Sequence, residues 1–280
     1  MPTALATVVA LIFAAPASID TRFAQVAPAA NEVAAFARTP GHDRAVILIH
    51  GLRMHPISKV GIVKAAFSDW QREDGLLVKQ LSRDCDVFSF AYAQTVAADE
   101  VAEAPDLSDS VRRVQLLGYR EIVLVGYSAG GVIARMFVED HPDAGVTKVV
   151  QVCAPNGGSG WASWPSLCRQ QAEFLRSLTK QTRKHALDER GDRLVPQRVE
   201  FVCIVGTGTG YGDGLVSKRN QWTPELQSQG VPAVAIGDTH WHILHSKKGV
   251  DLIASLVREP QQRWNADRVA AARRQILGGP

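Results

Sequence analysis

At 280 residues, with 46% apolar and 21% charged side chains, the chain is long enough to bury one sizeable core and too apolar to remain disordered. The formal charge of +3, from 31 basic and 28 acidic residues, is spread along the chain, which excludes the polybasic footprint of a nucleic-acid partner.

Residues 4–15 form an uncharged apolar run, followed by Ala15-Pro16-Ala17, which has the small-x-small form of a signal-peptidase site. A membrane-spanning helix needs about 20 apolar residues, so this run is read as a cleaved signal peptide at 1–17 rather than an anchor. Export to the periplasm or the exterior is the expectation. Residues 18–40 are alanine-rich, with a weak helical pattern at 31–38 and a Pro40-Gly41 break, and are read as a leader into one domain at 41–258.

Within that domain the run Ala45-Val46-Ile47-Leu48-Ile49 is apolar on both faces, as a covered parallel strand requires. Further strand-like runs follow at 86–92, 122–125, 147–153, 199–205 and 231–236. Helical spacing falls between them at 76–81, 107–117, 132–138 and 250–257. The alternation predicts an α/β fold with a mostly parallel central sheet, helices on both faces, and a site in the crevice at the carboxyl ends of the strands.

The connection from 156 to 197 far exceeds the usual loop of about 4 to 6 residues, so 157–197 is read as a small inserted lid or cap. Trp161 and Trp164 are its candidate substrate-binding residues; an ordinary surface helix pair is the competing reading. At 259–280 lies a basic C-terminal tail, preceded by Arg258 and carrying Arg263, Arg268, Arg273 and Arg274 against Glu259 and Asp267. It is read as a solvated helix, with transient membrane-surface contact left open. The four cysteines show neither C-x-x-C nor zinc-ligand spacing. Cys153 and Cys203 sit in strand-like runs as small core residues, whereas Cys85 and Cys168 are disulfide candidates in an exported chain.

The sharpest signal is Gly126-Tyr127-Ser128-Ala129-Gly130, set directly after the strand-like Glu121-Ile122-Val123-Leu124-Val125 and directly before an amphipathic helical run. Strand, tight turn and helix is the context that exposes a serine hydroxyl above a sheet, and glycine two residues to either side removes Cβ atoms that would clash there. A second element is the strand at 45–49 ending in His50-Gly51-Leu52.

On these two motifs the chain resembles the α/β-hydrolase family, in particular its lipase and esterase branch. The resemblance implies Ser128 as nucleophile and the N–H groups of Leu52 and Ala129 as the oxyanion hole. His50 is left a packing role. The family order of serine, acid, histidine implies Asp213, in the glycine-rich loop at 206–214, as the acid; Asp188 and Asp192 are competitors inside the insertion. Those glycines match neither G-x-G-x-x-G nor the Walker pattern. The resemblance places the base in Asp238-Thr239-His240-Trp241-His242-Ile243-Leu244-His245, with His240 in register and His242 and His245 as alternatives. Tyr127 departs from the histidine that many lipases of the branch carry there, which favours esterase over true lipase activity.

The implied reaction is acyl transfer from a small-molecule or lipid ester to water, with neither a metal nor an organic cofactor. An acyltransferase using the same triad and a non-catalytic binding protein on the same fold are the alternatives. A metal set His240-x-His242-x-x-His245 lacks further ligands.

Overall fold

The run Arg44–Ile49 (β3) sends Ala45, Ile47 and Ile49 to one face and Val46 and Leu48 to the other, and all five are fully buried. A strand apolar on both faces needs cover on both faces, and this dictates three layers. The computed structural model describes residues 19–30, 32–53, 61–164, 168–191 and 193–278. The signal peptide expected at 1–17 and the competitor acid Asp192 lie outside them.

The other strands are Thr21–Ala27 (β1), Ala29–Ala30 (β2), Asp86–Tyr92 (β4), Glu121–Tyr127 (β5), Lys148–Val152 (β6), Glu200–Gly206 (β7) and Ala233–Ile236 (β8). They build one sheet in the order β2-β1-β4-β3-β5-β6-β7-β8, parallel from β4 to β8 and antiparallel at the β1 edge. The six strands expected from the apolar runs are all present, which establishes the α/β class. Leu76–Leu81 (α1) and Lys247–Arg258 (α9) cover one face. Ala98–Glu103 (α2), Pro105–Leu116 (α3) and Ala129–Asp140 (α4) cover the other. The chain places β4 on one side of β3 and β5 on the other, so the winding reverses at β3. The crevice opens between the carboxyl ends of β3 and β5.

Two terminal expectations need correction. The stretch read as a leader at 18–40 is the edge of the sheet: β1 pairs with β4, and the Phe23 ring packs 5.6 Å from both Phe36 and Phe88. The helix expected at 31–38 reduces to a 3-10 turn at Val33–Ala35. Its exit is pinned by the buried Gln25 amide, which accepts from Ala37 N at 2.9 Å and donates to Ala37 O at 2.8 Å. The basic tail is likewise joined to the body. Helix Ala266–Leu277 (α10) exposes Arg268, Arg273 and Arg274 but sinks Ile276 into the core, and Trp264 meets the buried Trp222 edge-on at 6.3 Å. An amphipathic helix with one anchoring apolar stripe reads as a solvated tail when its charges dominate the composition.

The insertion between β6 and β7 contains 3-10 turns at Trp161–Ser163 and Arg169–Gln171 and the helices Ala172–Ser177 (α5) and Lys180–Arg190 (α6). Its second half is clamped to α4. Arg190 pairs with Glu139 at 3.1 Å and Asp140 at 2.8 Å, while buried Arg183 reaches Asp99 on α2 at 3.3 Å. Two short helices follow β7, Lys218–Gln221 (α7) and Pro224–Ser228 (α8). Among the described residues no helix is long and apolar enough to cross a membrane. Cys85 is a free thiol, so the Cys85–Cys168 bond is not formed.

At the opposite end of the sheet the fully buried Asp86 carboxylate accepts from Thr39 N at 2.7 Å, Tyr119 Oη at 2.5 Å and His42 Nδ1 at 2.9 Å. Burial alone would raise its pKa, but these bonds outweigh burial and hold it below the ordinary 3.8. Its contribution to stability is therefore complete above that ordinary value and is lost as pH falls through the lower folded one. Asp86→Asn is expected to lower the thermal midpoint at pH 7 by at least roughly 4 °C, since each buried donor left unpaired costs about 1–3 kcal/mol. Calorimetry at pH 7 and pH 3 should show the gap between variant and wild type narrowing at the lower pH.

Candidate active site

Ser128 occupies the turn between β5 and α4 at φ 53° and ψ −125°, a left-handed conformation that costs a non-glycine residue about 1–3 kcal/mol. Its neighbours make the turn possible. A Cβ on Gly126 would lie 2.4 Å from Gly130 O, and one on Gly130 would lie 2.3 Å from Ile49 O, so neither site admits a side chain. Ser128 N–H donates to Val152 O at 2.8 Å, which ties the turn to the end of β6.

The structure brings three sequence-predicted residues together. His240 Nε2 lies 2.9 Å from Ser128 Oγ, and His240 Nδ1 lies 2.7 Å from Asp213 Oδ2. Relative exposures of 6% for Ser128, 2% for His240 and 1% for Asp213 put this relay in a dry setting, where such bonds are stronger than in water. A carboxylate can only accept, so Nδ1 carries the proton and Nε2 keeps a lone pair facing the serine hydroxyl. The other carboxylate oxygen of Asp213 accepts from Leu215 N at 2.9 Å and Val216 N at 2.8 Å. His240 N–H in turn donates to Asp213 O at 2.8 Å. The competing histidines turn away: His242 is exposed and bonds Asp238 at 2.9 Å, and His245 is exposed. Asp188 is spent on an exposed pair with Lys184 at 2.5 Å.

Leu52 and Ala129, predicted as oxyanion donors, flank the serine from two elements. Ala129 is the first residue of α4, where the opening N–H groups of a helix lack intrahelical partners and carry its positive dipole end. Leu52 follows the end of β3 in a loop pressed onto the serine, so closely that a Cβ on Gly51 would lie 2.5 Å from Ser128 Cβ. His50 packs beneath this loop, fully buried and stacked on Tyr92 at 4.3 Å. Burial pushes its pKa down to about 3, so the ring is neutral. Its Nδ1 donates to Gly51 O at 2.8 Å and its Nε2 accepts from Tyr92 N at 3.3 Å.

Trp161 and Trp164 stack on each other at 4.8 Å, with relative exposures of 46% and 65%. Trp161 Nε1 donates to Gly214 O at 3.1 Å, and Ser159 Oγ donates to Leu215 O at 2.7 Å. Trp161 thus meets the loop that carries Asp213, and Trp164 is held to Trp161 by stacking.

Two neighbours of the relay make contacts that the sequence reading did not assign to them. Tyr127 Oη donates to His240 O at 2.7 Å, and its ring lies 5.1 Å from the imidazole. Cys153, read as a core residue, sits at φ 54° with its sulfur, an Asp213 oxygen and a His240 nitrogen all within 4.8 Å of one another. Among the described residues this is the set that could hold a metal ion. Its ligand atoms are already engaged, though: His240 and Asp213 bond each other, and burial, then the Asp213 charge, push the Cys153 thiol well above its usual range, so it stays protonated. Tyr127 lies inside the serine motif and Cys153 at the end of a strand, but neither contact is readable there, since each is made with partners distant in sequence.

A family model described as a domain of unknown function (DUF7379) matches residues 14–205, a span that holds Ser128 and the His50-Gly51-Leu52 loop and stops before Asp213 and His240. No curated protein matches the chain. Among solved structures it is similar to the mature form of the lipase BlEst2 of Bacillus licheniformis, at a TM-score of 0.60 and 18% identity over 78% of this chain and 93% of that one. It is also similar to the phospholipase PlaB of Legionella pneumophila, at a TM-score of 0.55 and 13% identity over 83% of this chain and 62% of that one. Lipase B of Aspergillus fumigatus gives a TM-score of 0.53 and 15% identity over 85% of this chain and 57% of that one. At such identities the likeness is one of fold, the α/β-hydrolase fold.

Removing the Tyr127 hydroxyl leaves a carbonyl beside the relay without its donor. Burial raises this phenol well above its usual range, so the bond persists across ordinary pH. Tyr127→Phe is expected to cost about 1 kcal/mol, read as a fall of roughly 2–4 °C in thermal midpoint.

Proposed function

This chain belongs to the DUF7379 family, and we propose that it is a serine hydrolase that cleaves carboxylic esters through an acyl-enzyme intermediate. The observation that carries the reading is the single imidazole of His240 bridging Ser128 Oγ at 2.9 Å and Asp213 Oδ2 at 2.7 Å. An alcohol is scarcely ionised at neutral pH, and a ring nitrogen at this distance with its tautomer fixed by a buried carboxylate supplies the missing base. The similar solved structures named as lipases and a phospholipase support an ester as substrate.

In the proposed reaction Ser128 Oγ bonds to the ester carbonyl carbon while its proton passes to His240 Nε2. The carbonyl oxygen gathers negative charge between the N–H groups of Leu52 and Ala129. Collapse of this adduct breaks the bond to the leaving oxygen, which takes the proton from His240 and departs as an alcohol. Water then gives a proton to Nε2, attacks the acyl-serine carbon, and releases the acid with Ser128 re-protonated. Asp213 stays ionised and steadies the imidazolium in both halves. The stacked Trp161 and Trp164 offer apolar surface at the rim for the acyl or alcohol part of the substrate.

Fluorophosphonate labelling of the wild-type chain, lost in Ser128→Ala, tests the nucleophile. Turnover of p-nitrophenyl esters of graded chain length is expected, with His240→Ala lowering kcat by at least about 10⁴-fold and His242→Ala changing it less than a few-fold. A wild-type chain that never labels would favour a binding protein on the same fold, and loss of turnover in His242→Ala alone would move the base to that residue. Ester products formed from an added alcohol, exceeding free acid, would favour acyl transfer over hydrolysis.

A further inference from the structure

The oxyanion loop is held by a pair of buried glutamines from two different parts of the chain. Gln94, just past the end of β4 and fully buried, donates from Nε2 to Gly51 O at 2.8 Å and accepts at Oε1 from Arg53 N at 3.0 Å. One neutral side chain thereby brackets Leu52, taking the carbonyl before it and the N–H after it. The orientation of this amide is unambiguous, because a carbonyl can only accept and an N–H can only donate. Gln171 extends the bracket. Nearly buried at the turn that precedes α5 in the insertion, it donates from Nε2 to Arg53 O at 2.6 Å and to Gln94 Oε1 at 2.7 Å.

The geometry of the peptide group turns this packing into a device. Gly51 C=O and Leu52 N–H belong to the same planar, trans peptide unit and point in opposite directions, so fixing the carbonyl aims the N–H. We propose that Gln94 and Gln171 are positioning residues of the oxyanion hole, and that Gln171 makes assembly of that hole depend on the docked insertion. The inference rests on the hydrolase reading above and goes past it by giving the insertion a part in rate rather than in substrate contact alone. Without Gln171, Gln94 Oε1 loses one of its two donors and Arg53 O loses its partner. The Gly51 carbonyl keeps its bonds from His50 Nδ1 and Gln94 Nε2, but the Gln94 amide and the Arg53 end of the loop lose the support that fixes them, and the aim of the Leu52 N–H loosens.

The test uses the full-length chain with Gln171→Ala and, separately, Gln94→Leu, their folding followed by thermal midpoint. Losing an oxyanion donor outright costs about 10²–10³ in rate, so a mis-aimed donor is expected to lower kcat by roughly 10- to 100-fold while KM moves less than about three-fold. A trifluoromethyl ketone, which adds to Ser128 as a tetrahedral oxyanion, should weaken by the same factor as kcat/KM. A role in packing alone would not produce that match. Gln171→Glu keeps the side-chain length but sets a carboxylate against two acceptors, and is expected to fall at least as far as alanine. If the wild type hydrolyses esters and both folded variants stay within two-fold of its kcat, or if kcat falls while ketone affinity does not, the positioning role is overturned and the hydrolase reading stands. A wild-type chain that neither hydrolyses nor labels overturns both.

Discussion

Ser128 sits in a backbone conformation that costs about 1–3 kcal/mol, and the surrounding architecture is what keeps it there. The turn joins β5, an interior strand buried on both faces, to α4, whose residues are almost all buried, so neither arm can relax without opening the core. Gly126 and Gly130 leave no room for side chains, and Gly51 brings the end of β3 to within a methyl group's width of the serine. Strain at one residue is thus held by two strands and a helix, and in return Oγ projects into the crevice where the sheet's winding reverses.

The loops around that turn are held in a second way, by buried side-chain amides rather than by charges. Gln221 donates from Nε2 to Gly206 O at 3.2 Å and Val216 O at 2.9 Å and accepts from Gly206 N at 2.8 Å, closing both ends of the loop that carries Asp213. Gln151 and Asn156 exchange bonds of 3.1 and 2.9 Å, and Asn156 Nδ2 reaches Gln221 O at 2.8 Å. An amide satisfies a carbonyl and an N–H from one neutral group, so it fixes loop backbone without adding charge near the imidazole. Charges are used farther along α4, where Arg135 and Glu139 pair at 2.7 Å and Arg190 and Arg193 converge on Asp140. A buried ion pair costs desolvation and gives little net stability, but it specifies which face of α6 meets α4. The insertion is therefore anchored at its α6 end by ion pairs and at its Gln171 end by amides.

Legibility of this fold in the sequence followed burial. Strands β3 to β8 show as apolar runs because both faces are covered, and helices α1, α3, α4 and α9 show because each presents one apolar stripe. Strand β1 did not show. Thr-Arg-Phe-Ala-Gln-Val-Ala mixes small and polar residues at a sheet edge, and its polar Gln25 is buried only because a distant loop segment meets it. The same reasoning separates the site residues. Ser128 announces itself because most of its constraints are local, the glycines at 126 and 130 and two flanking elements within a few positions. Asp213 and His240 were reached through the chain order of a resembling family, and the structure sets His240 against Ser128 and Asp213 against His240. Gln94 and Gln171, 77 positions apart and bonded at 2.7 Å, carry no local pattern, and neither does the bond from Tyr127 to His240. Interactions of this kind are properties of the folded crevice, and no window of sequence contains them.

Cys153 raises the question of why a serine rather than the nearby cysteine would serve as nucleophile. A thiol is intrinsically the easier group to ionise, and this one lies within 4.8 Å of the same imidazole and carboxylate. Two effects act on it in the same direction, burial and the negative charge of Asp213, and both oppose a thiolate. What differs for Ser128 is access to the base: His240 Nε2 lies 2.9 Å from its Oγ, whereas the Cys153 thiol faces the Asp213 carboxylate. The Ser128 proton moves to His240, and the charge that then forms on the ring is a cation 2.7 Å from Asp213, which the carboxylate favours. One buried carboxylate thereby works against the sulfur and for the oxygen. In the proposed reaction that difference selects Ser128 and leaves Cys153 as a neutral, dry filler against the acid; the same difference requires that Asp213→Asn narrow the gap between the two groups rather than merely weaken the base.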